Sequence, residues 1–166
     1  MRWTLRNRAD RQCREVADRH YNRQTIGSPQ FVAPGRCLVL YTATKTGRAL
    51  WVTSWPFSQY VRHAWPGAWM CSAFRNEGAG LSSELITEAV AATRWYWPDT
   101  PALGFVTFVN RSKTRPKRDP GYCYQMADWK VCGKTKGGLV ALQLLPDEMP
   151  PAEAPRDSQR DLFEGA

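Results

Sequence analysis

The sequence lacks the cysteine spacing of a zinc ribbon and the long apolar runs of a membrane protein. Its five cysteines are odd in number and none belongs to a C-x-x-C pair, so neither a zinc ribbon nor a disulfide framework is indicated. No apolar run approaches the ~20 residues that span a bilayer. The charged N-terminal segment has no apolar signal-peptide core. We therefore expect a cytoplasmic protein without a membrane partner.

The composition is that of one globular domain with a basic body. The chain of 166 residues is long enough for a substantial core, and its 43% hydrophobic content includes eight tryptophans. The formal net charge is +8, but residues 146–166 carry −4, which leaves +12 on residues 1–145. A body of this charge attracts polyanions, of which nucleic acid is the commonest in a cytoplasm. A basic protein without an anionic partner is the alternative.

The hydrophobic periodicity predicts an α+β fold in a single domain at residues 1–145, with a mixed central sheet of six to seven strands flanked by helices. Residues 146–166 contain four prolines and clustered acids, and we expect them to form a disordered tail. There are no internal repeats. The predicted strands are 2–6, 37–43, 49–55, 68–74, 103–109, 130–135 and 138–145, and the predicted helices are 9–20, 83–96 and 122–129.

A glycine-rich turn lies between the predicted strand at 68–74 and the predicted helix at 83–96. A strand, an Arg-x-x-Gly-x-Gly turn and a helix together present backbone N–H groups and a helix N-terminus to a phosphate. An ordinary turn without a ligand is the alternative, and Ser82 or Ser83 is expected to cap the helix. The predicted phosphate-binding residues are Arg75, Gly78, Ala79, Gly80, Leu81, Ser82 and Ser83.

The predicted order of elements, β-α-β-β-β-α-β-α-β-β, resembles the GNAT acyltransferase fold over residues 2–145. The most specific part is Arg75-x-x-Gly78-x-Gly80, and residues 126–135 look like the helix-to-strand corner near the C-terminus of GNAT proteins. The resemblance implies that the turn holds the pyrophosphate of coenzyme A. It therefore implies a small-molecule donor, either acetyl-CoA or another CoA-like compound.

Histidine is scarce in this chain, which has only His20 and His63. His20 lies beside Tyr21 at the end of the first predicted helix, where a histidine could act as a general base or bind a metal. The alternative is a cation that satisfies the last helix carbonyls. His63, in an aromatic connection, is a weaker candidate.

A basic loop and a tyrosine motif follow the strand at 103–109. Five basic residues within eight positions suit the loop to contact several phosphates, unless it is only a solvated surface loop. Asp119 could orient a substrate amine, and Tyr122 and Tyr124 could stack on a base, donate a proton or simply pack in the core. The predicted nucleic-acid contacts are Arg111, Lys113, Arg115, Lys117 and Arg118.

Several short motifs together resemble the Mom proteins of phages. They are His20-Tyr21 after the first helix, Asn76-Glu77 with Leu81-Ser82-Ser83, Thr107-Phe108-Val109, and Asp119-Pro120-Gly121-Tyr122-Cys123-Tyr124 leading to Trp129.

Mom proteins are GNAT-like enzymes that convert the exocyclic N6 amine of adenine in DNA to a carbamoylmethyl derivative, which shields phage DNA from host restriction. The resemblance implies double-stranded DNA as substrate, action in the host cytoplasm, and His20, Tyr21, Asp119 and Tyr124 around the acceptor amine. It also implies iron, for which the sequence shows no ligand spacing.

Two other functions agree with the same sequence. A conventional acyl-CoA-dependent GNAT N-acetyltransferase would act on a small amine or a protein, and a non-catalytic basic protein of GNAT fold would bind DNA without modifying it. The oligomeric state is open, and a dimer is one of the assemblies compatible with the sequence.

Overall fold

The computed structural model describes residues 1–56, 61–113 and 119–156 of the chain. Among these residues, no helix reaches the length and apolarity that crossing a bilayer requires. The described residues form seven strands and three α-helices, which follow one another in the predicted order. They are β1 (Thr4–Arg6), α1 (Arg11–Asp18), β2 (Arg36–Thr44), β3 (Gly47–Trp55), β4 (Trp69–Glu77), α2 (Ser82–Tyr96), β5 (Phe105–Val109), α3 (Tyr122–Gln125), β6 (Lys130–Lys134) and β7 (Val140–Leu144).

The seven strands form one mixed sheet in the order β1-β2-β3-β4-β5-β7-β6. Every neighbouring pair is antiparallel except β4 and β5, which are parallel and connected through α2. A parallel pair requires a crossover, and α2 provides it. The predicted α+β class, with a mixed sheet flanked by helices, is confirmed.

The parallel strands β4 and β5 pair over only three residues, from Trp69↔Phe105 to Cys71↔Thr107. Beyond that point β4 continues to Glu77 without β5, while its pairing with β3 shifts register and leaves Ser72 as an extra residue. Such a bulge bends its strand and increases the local twist. The two strands therefore separate after Cys71 and Thr107, in the middle of the sheet.

The sheet has a hydrophobic core on each face. The larger core lies beneath α2 and α3 and contains four fully buried or nearly fully buried tryptophans. The smaller core lies beneath α1, which contributes Cys13, Val16 and Ala17 at helical spacing. Cys71 belongs to the larger core, as predicted for a small apolar residue. The tryptophans are Trp3, Trp51, Trp69 and Trp129.

The helices around the sheet differ from the prediction at their ends. The first begins later than residue 9, because the Asp10 carboxylate accepts the Cys13 N–H at 3.0 Å and caps it. The predicted serine cap of α2 is wrong. Leu81 occupies the cap position without a side-chain hydrogen bond, and Ser82 is already helical.

The third helix is shorter than the predicted 122–129. It ends after one turn, because Asp128 adopts the left-handed conformation with a φ of 72° and the Trp129 N–H returns to the Tyr124 carbonyl at 3.0 Å. This reversal turns the chain into β6. Gly121, at a φ of 74°, precedes the helix, where a Cβ would lie 2.7 Å from a Leu142 methyl group.

The prediction of a disordered tail is wrong for residues 146–156, and residues 157–166 lie outside the described part. The segment 146–156, here called the strap, packs along α2 toward β1. Glu153 N–H donates to the Ala91 carbonyl at 3.1 Å, and Arg156 N–H donates to the Trp3 carbonyl at 2.9 Å. Prolines preset an extended backbone, which lowers the entropy lost on docking.

We predict that Met149→Ala destabilises the fold, because Met149 of the strap is 8% exposed and lies in the larger core. The expected loss of unfolding free energy is about 2 kcal/mol. Chemical denaturation monitored by circular dichroism measures it. Asp147→Ala is the control, since this neighbouring side chain is exposed. Equal stability of Met149→Ala and wild type would show that the strap does not contribute to the core.

Candidate functional site

A cavity of about 700 Å³ lies where β4 and β5 separate. It is lined from both faces of the sheet. His20 and Tyr21, which follow α1, lie on one side, and the turn before α2 and the helix α3 lie on the other. Residues that follow α1 on one face and residues of the turn and α3 on the other thus meet where the strand pairing ends.

One side of the cavity is formed by the glycine-rich turn and the start of α2. The first backbone hydrogen bond of this helix runs from the Leu85 N–H to the Leu81 carbonyl at 3.1 Å. The N–H groups of Ser82, Ser83 and Glu84 precede it and have no acceptor within the helix. Free N–H groups at the positive end of a helix suit an anionic ligand such as a pyrophosphate.

The Asn76 side chain fixes the conformation of this turn. Its Oδ1 accepts the Ala79 N–H at 2.9 Å, and its Nδ2 donates to the Gly80 carbonyl at 2.7 Å and to the Ser82 Oγ at 2.9 Å. The serine hydroxyl therefore accepts a hydrogen bond from the preceding strand and does not cap the helix. The sequence prediction assigned no such role to Asn76.

The predicted cofactor residues divide into two groups. Gly80, Leu81, Ser82 and Ser83 line the cavity, whereas Arg75, Gly78 and Ala79 do not. The φ of 87° at Gly78 favours glycine, and a Cβ there would lie 2.9 Å from the Thr46 carbonyl of the β2–β3 hairpin. Gly78 is thus required by the approach of two loops. The Ala79 N–H is already donated to Asn76.

Arg75 belongs to an ion cluster centred on Glu77. The Glu77 carboxylate accepts two hydrogen bonds from Arg19 at 2.6 Å and one from Arg75 Nε at 2.7 Å, and it lies 3.5 Å from Arg48 Nε. These contacts, led by the Arg19 hydrogen bonds, lower the pKa of Glu77 to about 2. The cluster links the end of α1, the β3 strand and the approach to the turn.

The structure places His20 in the wall of the cavity with both ring nitrogens engaged. Nε2 lies 3.0 Å from the Phe74 carbonyl and must donate to it, while Nδ1 accepts the Asn22 N–H at 3.2 Å. Burial lowers the pKa of His20, which favours this neutral tautomer. His20 therefore joins the chain after α1 to β4 and has no free lone pair for a proton or a metal.

Tyr21 extends from the end of α1 toward the end of β5. Its ring stacks on His20 with the centroids 4.6 Å apart. Burial of the hydroxyl raises its pKa, although a backbone hydrogen bond from Asn110 acts in the opposite direction. This contact reaches the residue directly after β5. Tyr21 thus bridges the mouth of the cavity between the two separated strands.

The Tyr124 hydroxyl lies at the point where the strands separate. It is 3.4 Å from Cys71 Sγ, and Cys71 and Thr107 are the last paired residues of β4 and β5. Burial raises the pKa of Tyr124 well above its ordinary value, so the phenol is protonated at neutral pH. Its ring packs edge-on against Phe74 and Trp129. The protonated Tyr124 hydroxyl is therefore a hydrogen-bonding group inside the cavity.

The cysteines of the cavity are unsuited to nucleophilic chemistry. Burial raises the pKa of Cys71 to about 12 and also raises the pKa of Cys123. A thiol attacks as its thiolate, which these environments disfavour.

Asp119 is exposed at the rim of the cavity and is the one carboxylate among its described lining residues. In the sequence Asp119 directly follows the basic loop. Arg111 and Lys113 form a 3₁₀ turn after β5 and are exposed. The predicted contacts Arg115, Lys117 and Arg118 lie outside the described residues.

Iron does not fit the described residues. Neither nitrogen of His20 is available as a ligand, and residues 1–56, 61–113 and 119–156 hold no group of three or more His, Cys, Asp or Glu side chains able to bind a metal.

Comparisons of this chain with protein-family models, with curated proteins and with solved structures found no match.

We predict that Glu77→Gln destabilises the fold in a pH-dependent manner. A carboxylate whose pKa is lowered by folding stabilises above its unfolded pKa, and this contribution is lost as the pH falls toward the folded value of about 2. At pH 7 the variant should lose on the order of 2 kcal/mol of unfolding free energy. The difference from wild type should shrink between pH 5 and pH 2, values that bracket the range set by the ordinary and the lowered pKa.

Urea denaturation at several pH values measures this difference. Glu84→Gln is the control, because its carboxylate is more than half exposed in the Arg2 ion pair and such pairs contribute less than about 1 kcal/mol. A Glu77→Gln loss that does not vary with pH would refute the proposed electrostatic origin.

Proposed function

We propose that this protein is a GNAT-like enzyme of the Mom type, which converts the N6 amine of adenine in DNA to its carbamoylmethyl derivative. The observation that carries the proposal is the cavity that opens between β4 and β5 and is lined from both faces of the sheet. A transferase that brings a small donor and a bulky acceptor together needs two such approaches. The motifs that resemble Mom proteins supply residues to each side.

The strand order β1-β2-β3-β4-β5-β7-β6, with one parallel pair at its centre, supports the GNAT part of the proposal. In a GNAT fold the turn after the fourth strand holds the pyrophosphate of the donor. Here Ser82 and Ser83, the first residues of α2, line the cavity at that position. Their N–H groups fit the pyrophosphate of a coenzyme A-like donor, and Asn76 holds the turn in place.

The other side of the cavity fits an acceptor presented by DNA. The +12 charge on residues 1–145 favours association with the phosphate backbone. The adenine N6 amine is buried in the duplex, so the base must be extruded at a cost of a few kcal/mol. Aromatic side chains near the cavity offset this cost by stacking.

In this proposal Asp119 accepts a proton and Tyr124 donates a hydrogen bond. The adenine nitrogen attacks the methylene carbon of an electrophilic carbamoylmethyl donor, a new C–N bond forms, and the leaving group departs with its bonding electrons. The Tyr124 phenol keeps its proton and donates a hydrogen bond to the departing group, and Asp119 accepts the proton lost by the amine. His20 and Tyr21 form part of the cavity wall.

Acetyl transfer from acetyl-CoA is the second candidate, because the same turn and cavity suit a conventional GNAT reaction. That reaction forms an amide, whereas the carbamoylmethyl product joins the amine to a methylene carbon. The mass of the modified nucleoside or amine separates the two reactions. Binding of DNA without any product would identify a non-catalytic protein.

We predict that plasmid DNA from bacteria expressing the protein contains carbamoylmethyladenine, and that Tyr124→Phe lowers its amount by about 100-fold. The substitution removes the hydroxyl and keeps the ring that packs against Phe74 and Trp129. Nucleoside mass spectrometry measures the product. Tyr96→Phe, at the far end of α2, is the control.

If plasmid DNA from cells that contain folded wild-type protein has only unmodified adenine, the modification hypothesis is refuted. Undiminished product in both Tyr124→Phe and Asp119→Asn would mean that the reaction depends on other residues.

We predict that Asn76→Ala weakens coenzyme A binding about tenfold, because it removes the hydrogen bonds that hold the turn. Isothermal titration calorimetry with coenzyme A measures the dissociation constant. Asn22→Ala is the matched control, since its amide donates to the Ser72 carbonyl on the other side of the cavity. Equal weakening by both variants would argue against a donor site at the turn.

A further inference from the structure

Three aromatic rings form a cluster next to the cavity. His63 and Trp65 come from the connection before β4, and Phe108 comes from β5. The centroids of His63 and Phe108 are 5.1 Å apart, those of Trp65 and Phe108 are 6.0 Å apart, and those of His63 and Trp65 are 6.1 Å apart. Each ring contacts the other two, so the cluster, here called the aromatic triad, behaves as one surface.

The aromatic triad reaches the cavity through Phe108. Phe108 is one of the lining residues, and it alternates along β5 with Thr107, whose hydroxyl donates to the Cys71 carbonyl at 3.1 Å on the strand opposite. All three rings are only partly buried. Trp65 extends over β6, where a Cβ added at Gly133 would lie 3.8 Å from its ring. The partly buried rings of His63 and Trp65 therefore lie next to a residue of the cavity wall.

The charges around the aromatic triad favour an anionic polymer with flat groups. His63 Nδ1 accepts the Trp65 N–H at 3.0 Å, and burial lowers the pKa of His63, so this ring is neutral at neutral pH. Positive charge comes instead from the exposed side chains of Arg62, which precedes His63, and of Lys113, in the 3₁₀ turn after β5. Neutral rings beside cations are the arrangement with which proteins hold bases and phosphates.

We propose that the aromatic triad is the stacking surface for the adenine that is extruded from duplex DNA, at the acceptor mouth of the cavity. This inference rests on the proposed function and names the surface that receives the base. Stacking on an aromatic side chain offsets the loss of base stacking in the duplex, and the cations hold the adjoining phosphates.

The test compares two fluorescein-labelled duplexes of the same sequence. One contains a single mismatched adenine, whose extrusion costs little free energy, and the other contains an abasic site at that position. Fluorescence anisotropy measures the dissociation constants of wild type, Trp65→Ala and Trp65→Phe. Trp95→Ala is the matched control, because Trp95 is an exposed tryptophan in the last turn of α2, away from the cavity.

Wild type should prefer the adenine duplex. Trp65→Ala should weaken its binding about tenfold and leave the abasic duplex unaffected, whereas Trp65→Phe should keep most of the preference. Lys113→Ala should weaken both duplexes equally and reduce the salt dependence of binding by about one counterion. Unchanged thermal melting of each variant shows that the fold is intact.

Equal effects of Trp65→Ala on the two duplexes, or no effect on either, would overturn the proposal. So would a loss as large in Trp65→Phe as in Trp65→Ala. The outcome is separable from the modification assay. A Trp65-dependent preference for adenine without modified plasmid DNA would support the stacking surface and reject the enzymatic function. Modified DNA without that preference would support the enzymatic function and reject the stacking surface.

Discussion

The interruption of pairing between β4 and β5 is the constraint on which the rest of the structure depends. Pairing ends at Cys71 and Thr107, and the extra residue Ser72 turns β4 away from its parallel neighbour. A sheet that loses hydrogen bonds at its centre must satisfy the released groups in another way. The Phe74 carbonyl bonds His20 and the Ser72 carbonyl bonds Asn22, so the chain after α1 replaces the missing strand.

Burial sets the chemistry of the cavity more than charge does. His20, Tyr21, Cys71 and Tyr124 are all held in their neutral forms, because desolvation is the largest influence on each pKa. The arginines near the turn are engaged with Glu77 on the face that carries α1. A cavity with hydrogen-bonding but uncharged walls suits a neutral base and a neutral donor carbon, with Asp119 as the charged group at its edge.

The sequence was enough to predict the order of elements and the place of the turn, because periodicity and glycine spacing are local signals. Eight of the twenty described residues that line the cavity were among the predicted site residues. The sequence could not predict that Arg75 donates a hydrogen bond to Glu77 or that both ring nitrogens of His20 are engaged. These partners are set by the folded structure, and Phe74, the partner of His20 Nε2, lies over 50 residues away in the sequence. The sequence did not predict that the strap is ordered, because composition does not reveal the apolar site in the larger core where Met149 packs.

The strap also has a consequence for the order of events during synthesis. It is made after α2 and β1, the elements that it covers, and its bonds to Ala91 and Trp3 cannot form until they are in place. Until the ribosome has delivered it, the apolar site that receives Met149 is open to water. The nascent chain therefore exposes this apolar surface until the strap docks and covers it.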